Sequence, residues 1–143
     1  NINIPNSRTV GAMNFQDNAV ATTFVAVDTP TKIVATWVEG ENERFTFDSS
    51  GRYTYAGLED IKINTIARVT LEPGGVTDMA VYIAKNGTEI ITSRGSTTSN
   101  KADQLTAQEI IPMSTGDFLE VFIENRTNGT SITVTDAIFL SDF

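Results

Sequence analysis

Two Asn-Gly pairs, Asn86-Gly87 and Asn128-Gly129, each sit between runs in which apolar and polar residues alternate. A two-residue type I′ turn needs positive φ at both central positions, and Asn followed by Gly meets that need at least steric cost. The first pair joins residues 78–85 to 89–94, and the second joins 118–125 to 131–140. Alternation with a period of two is strand patterning. The two pairs therefore predict two hairpins. Elsewhere no segment keeps apolar residues at i, i+3, i+4 and i+7 over a helical length. Further strands are expected at 21–27, 32–38, 44–47, 52–55, 60–71 and 104–111. The polar or acidic stretches 28–30, 39–43, 48–51, 73–75 and 95–103 read as the turns between them. The expectation is an all-β chain: an antiparallel β-sandwich of jelly-roll type with about 8–10 strands over residues 21–143. Residues 1–20 are polar with isolated apolar residues, among them Ile2, Ile4, Met13 and Phe15. They read as an N-terminal arm or connector, with a first strand of the domain as the competing reading.

With 143 residues the chain is expected to form one domain and to bury roughly 70% of the surface its unfolded form exposes. Cysteine is absent, which removes disulfides and thiolate chemistry. Histidine is absent too. That excludes Ser-His-Asp and Cys-His mechanisms and histidine-ligated metals, so no catalytic residue, cofactor or metal site is assigned. The net charge of −8 repels phosphate backbones, and the ten Lys and Arg residues are scattered. Neither nucleic acid nor membrane is expected as a partner.

Alternation also assigns faces. On the strand from Phe118, the residues Leu119, Val121 and Ile123 share the side expected to face the core. Phe118, Glu120, Phe122 and Glu124 share the other, an unusual mixture for a plain solvent face. Tyr82 lies outward on its strand beside Ala80 and Ala84. Aromatic residues outside the core suit a subunit interface. On the last strand Asp136 falls in phase with Ile132, Val134, Ile138 and Leu140. It would point inward unless a bulge resets the phase. Trp37 is expected in the core.

Segments 18–24, 31–34, 44–47 with 51–57, 82–87, and 117–125 with 132–136 occur in an order that resembles a β-sandwich domain of tailed-bacteriophage virion structural proteins. The resemblance covers residues 18–140, and residues 1–17 fall outside it. Its layout is similar to the jelly rolls of tumour necrosis factor and complement globular heads, which assemble as trimers about an aromatic and apolar axis. The resemblance implies a homotrimer with Tyr82, Phe118, Glu120 and Phe122 as candidate axis residues. It implies a non-enzymatic virion protein on the particle surface, a capsid decoration or cement protein or a head or tail fibre, docking on other capsid or tail proteins. Ile2, Ile4, Met13 and Phe15 are the candidate attachment residues. The alternative is a receptor-binding tip for host glycan, built from loops 95–103 and 126–130.

The remaining motifs are read as structural. Asn86-Gly87-Thr88, Asn125-Arg126-Thr127 and Asn128-Gly129-Thr130 fit glycosylation sequons but are turn chemistry. Glu39, Glu41 and Glu43, and the pair Glu59 and Asp60, lack calcium-loop spacing and a convergent partner for glycoside hydrolysis.

Overall fold

The computed structural model describes residues 8–143. Two antiparallel sheets pack face to face as a sandwich. The first sheet runs in the order β11 (Asp103–Met113), β7 (Ile61–Glu72), β13 (Ile132–Asp142), β1 (Val10–Phe15), β4 (Val38–Glu43). The two-residue strand β2 (Ala21–Thr22) also pairs with β13. The second sheet runs β10 (Gly95–Ser99), β8 (Thr77–Lys85), β12 (Phe118–Asn125), β6 (Arg52–Tyr55), β5 (Phe45–Asp48). Short strands β3 (Thr31–Lys32) and β9 (Thr88–Glu89) pair with β12 and β8. Three of the thirteen strands among the described residues are these two-residue strands, so the expected count of strands is close. Consecutive strands repeatedly change sheet, which is the jelly-roll connection pattern.

The core lies between the sheets. β12 contributes Leu119, Val121 and Ile123, all buried as the alternation requires. β7 and β13 face them with Ile63, Leu71, Val134 and Phe139. Trp37 is in the core, its ring edge-on to Phe15 at 4.7 Å between centroids. Gly95 closes one corner where β10 comes against β11. A Cβ built there would lie 2.1 Å from the Thr106 carbonyl oxygen, so only glycine allows the approach.

The first Asn-Gly pair behaves as its chemistry predicts. Asn86 and Gly87 take φ of 54° and 85°, and Lys85 pairs with Thr88 across the turn. The second pair does not close a hairpin. β12 belongs to the second sheet and β13 to the first, so residues 126–131 cross between layers. Neither Asn128 nor Gly129 has positive φ. The alternation on each side was legible, but a hairpin and a layer crossing carry the same local signal.

Four further expectations change. Val10–Phe15 is an interior strand of the first sheet, paired with β13 on one side and β4 on the other, so the competing first-strand reading holds for that stretch. Residues 1–7 of the expected arm lie outside the described residues. The acidic stretch is a strand, β4, at the sheet edge, where glutamates deter pairing with another chain. Of 95–103, expected as loop, Gly95–Ser99 is strand β10. The 89–94 strand shrinks to Thr88–Glu89 before a single 3₁₀ turn at Ile91–Ser93.

The phase break at Asp136 is present. Val134 pairs with Leu71 and Asp136 with Thr70, leaving Thr135 as an extra residue. The bulge is held by the preceding chain: Asn18 donates its backbone N–H to the Thr135 carbonyl at 3.0 Å and its Nδ2 to the Val134 carbonyl at 2.9 Å. The Asp17 N–H reaches Asp136 Oδ1 at 3.3 Å. Beyond the bulge Ala137 and Phe139 point inward, and Ile138 and Leu140 point out.

Two predictions follow from the packing. Gly95→Ala should lower unfolding stability by about 1–3 kcal/mol in a urea titration, because backbone must move at the β10–β11 corner. Tyr53 is buried and donates to the Ala12 carbonyl; burial pushes its hydroxyl up to about 12 from the ordinary 10.0. The unfolded chain therefore ionises first. The Tyr53 contribution should be complete below pH 10 and drain away as pH rises from about 10 to about 12, seen as late, cooperative tyrosinate absorbance.

Candidate functional site

Each sheet has one face in the core and one face outward, and the two outward faces differ in kind. The second sheet carries the expected axis residues Tyr82, Phe118, Glu120 and Phe122. Phe122 pairs with Tyr82 across β12 and β8, so the aromatic pair does lie together. Yet the charged groups beside them are buried, with Glu120 3% and Glu124 7% exposed.

Burying a carboxylate requires partners, and both have them within the chain. Lys32 Nζ lies 2.9 Å and Arg52 Nε 3.2 Å from the same Glu120 oxygen. The Arg52 guanidinium also lies over the Phe118 ring, 3.9 Å from its centroid. Lys32 reaches across to Ser50 as well, at 2.9 Å. Tyr82 donates its hydroxyl to Glu124 at 2.7 Å. Burial first, and then that bond to Glu124, hold the Tyr82 hydroxyl above the usual tyrosine range. Small Ala84 and Ala80, both buried, are the cross-strand partners of Glu120 and Glu124. The alternation correctly put these residues outside the core. It could not show that cations from β3 and β6 arrive to cover them.

The first sheet is the reverse. Among the described residues, the large apolar side chains that are exposed and carried on strands are Val38, Ile110, Ile138 and Leu140, exposed 57%, 64%, 55% and 38%. All four are on this sheet and point away from the core. Leu140 lies between Ala12 on β1 and Ile66 on β7, and Ile138 between Asn14 and Arg68. Val38 extends the row past Asn14, and Ile110 flanks Asn64. A shallow groove of about 540 Å³ follows this face, with Ala12, Asn14, Arg68, Asp136, Ile138 and Leu140 on its walls. Sequence reading missed this face because it placed Ile138 and Leu140 inward. The signal that could have found it was Asp136, whose phase already demanded a bulge.

Met13 and Phe15, expected at an attachment surface, are buried in the core, and Ile2 and Ile4 lie outside the described residues. Of the loops expected to meet glycan, 95–99 is a ladder strand, and 126–130 is gathered around buried Asn125 with no aromatic residue in it. No group of three or more carboxylates that could hold a metal ion occurs among the described residues.

No family model and no curated protein matches the sequence. Solved structures do match the fold. Eiger, a tumour necrosis factor of S. frugiperda, superposes with a TM-score of 0.61 at 15% identity, over 94% of this chain and 93% of that one. Murine APRIL at pH 5.0 gives 0.63 at 9% identity, over 96% and 100%. The globular domain of zebrafish complement 1qA gives 0.52 at 11% identity, over 94% and 95%. At these identities the likeness establishes the jelly-roll fold.

The self-contained network on the second sheet makes a prediction. Tyr82→Phe removes the donor to Glu124 and should cost about 1–3 kcal/mol of stability, measured by urea unfolding, without altering the mass of the particle in solution.

Proposed function

We propose that this chain is a non-enzymatic, self-associating jelly-roll module, a homotrimer that buries the outward face of the first sheet. The observation that carries this reading is the segregation of strand-borne exposed aliphatics: Val38, Ile110, Ile138 and Leu140 all lie on one face. Leu140 and Ile138, with Ala12 and Ile66 beside Leu140, form the apolar centre of that face, and Val38 and Ile110 lie toward its margins; exposed apolar surface gathered on one face marks an interface. The opposite face spends its aromatic and charged groups on each other, so Tyr82, Phe118, Glu120 and Phe122 give way to Ala12, Ile66, Ile138 and Leu140 as interface residues.

Three copies rather than two is the part supported by fold. The resemblance to tumour necrosis factor and complement globular heads implies assembly about a three-fold axis, and 94–96% of this chain superposes on structures of that layout. A three-fold ring is a heterologous contact that closes, with a different surface given and received by each copy. β4 is poorly suited to giving an edge, because Glu39, Glu41 and Glu43 line it.

Location on a phage particle, with capsid or tail proteins as docking partners, belongs to the same proposal. It rests on the order of strand and turn motifs from residue 18 to 140. Detection of the chain in purified particles tests it. A glycan-binding tip has less support, because the aromatic side chains that could stack on a sugar are locked against Arg52 and Glu124.

The mass in solution, measured by light scattering, tests the assembly. The expected mass is three times the 15.5 kDa of one chain. Leu140→Glu or Ile138→Arg should lower it to the single-chain value while leaving far-ultraviolet circular dichroism unchanged. Phe122→Ala should leave the trimeric mass intact. A wild-type monomer, or dissociation by Phe122→Ala alone, would overturn the assignment.

A further inference from the structure

The two Asn-Gly pairs have the same local sequence and opposite surroundings, and the difference is chemical. An Asn side chain can be attacked at Cγ by the peptide nitrogen of the next residue. The new C–N bond closes a five-membered imide, the Cγ–Nδ2 bond breaks, and the side-chain nitrogen leaves as ammonia with the proton that the peptide nitrogen gives up. Water then opens either carbonyl, giving aspartate or isoaspartate, the latter with an extra methylene in the main chain. No oxidant or reductant takes part. Glycine as the next residue leaves that nitrogen unshielded.

Asn86 is held away from this path. Its Nδ2 donates to Asp117 Oδ1 at 3.0 Å, and its Oδ1 accepts from the Phe118 N–H at 3.0 Å. Asp117 is itself fixed by the Ser114 N–H at 2.8 Å and by Lys85 at 3.4 Å. Both polar atoms of the Asn86 amide are thus held, the nitrogen by Asp117 and the oxygen by Phe118 at the start of β12. The tight turn adds a second restraint, since φ of 54° and 85° must be kept for Lys85 and Thr88 to pair.

Asn128 lacks the bond on its side-chain nitrogen and lacks the tight-turn restraint. It lies in the layer crossing, with no ladder partner and no positive φ. Among the described residues its Nδ2, the leaving group, makes no hydrogen bond. Its Oδ1 accepts two, from the Thr130 N–H at 2.9 Å and from Asn125 Nδ2 at 3.0 Å. Two donors on that oxygen are placed to stabilise the negative charge that develops when Cγ is attacked. There is open space around Gly129, as there is around Gly87, so the contrast between the pairs rests on the side-chain nitrogen and the turn.

We infer that Asn128 is a site of spontaneous deamidation in the folded protein, and that the fold protects Asn86. The product puts a carboxylate into the end of the sandwich opposite the one where Phe143 bonds back to Thr9. Its isoaspartyl form breaks the arrangement in which Asn125 Oδ1 accepts from the Thr127 and Asn128 N–H groups. The inference does not depend on the oligomeric state.

Peptide mass spectrometry on the purified chain, aged at mildly alkaline pH, tests this by following amide-to-acid conversion and isoaspartyl content at each pair. The expected result is progressive conversion at Asn128 and none at Asn86. In the urea-denatured chain both should convert alike. Gly129→Ala, which the open space tolerates, should sharply slow conversion at Asn128 with the fold intact by circular dichroism. Asp117→Ala should start conversion at Asn86. Equal conversion at both pairs in the folded chain would overturn the inference. So would no conversion at Asn128, or a disparity that persists in urea.

Discussion

One extra residue decides what this sandwich shows to its surroundings. Side chains alternate strictly along a strand, so a single insertion exchanges the faces of everything after it. Thr135 is that insertion in β13. Before it Ile132 and Val134 face the core; after it Ala137 and Phe139 do, and Ile138 and Leu140 turn outward. Without the bulge Asp136 would enter the core and Phe139 would leave it. The bulge is kept by Asn18 and Asp17, which supply donors to the Val134 and Thr135 carbonyls and to the Asp136 carboxylate. The polar residues just after β1 thus do their work far from their place in the sequence, and the apolar outward face depends on them.

The two sheets divide the chemistry between them. The second sheet has aromatic residues and carboxylates outside the core, and it satisfies them internally. Glu120 takes two cations, Glu124 takes the Tyr82 hydroxyl, and Phe118 takes the Arg52 guanidinium. Such a face has little left to offer a partner. The first sheet has aliphatic side chains outside the core, and an aliphatic side chain can be satisfied only by more apolar surface. Burial is therefore where a second copy gains most.

Fold class was legible in the sequence because alternation and turn chemistry are local. The core of β12, the Asn86-Gly87 turn, the core position of Trp37 and the broken phase at Asp136 all follow from neighbours within a few residues. What was not legible depended on partners remote in sequence. The crossing at Asn128 looks like a hairpin until the sheets are known. Val10–Phe15 looks like an arm because its pairing partners, β13 and β4, lie elsewhere in the chain. Glu120 looks like an exposed acid because Lys32 and Arg52 come from other strands. The apolar outward face itself was one inference away, since following the phase past Asp136 turns Ile138 and Leu140 outward.

The absence of cysteine allows a direct test of which face is buried between copies. Single substitutions Ile138→Cys, Phe122→Cys and Val25→Cys, the last at a fully open loop site, can be labelled with a thiol reagent at high and low protein concentration. The account predicts that the thiol at position 138 is protected at high concentration and becomes reactive on dilution, while those at 122 and 25 react at rates independent of concentration. Reactivity at 138 that matches the loop site at every concentration, or concentration-dependent protection at 122 instead, would contradict it.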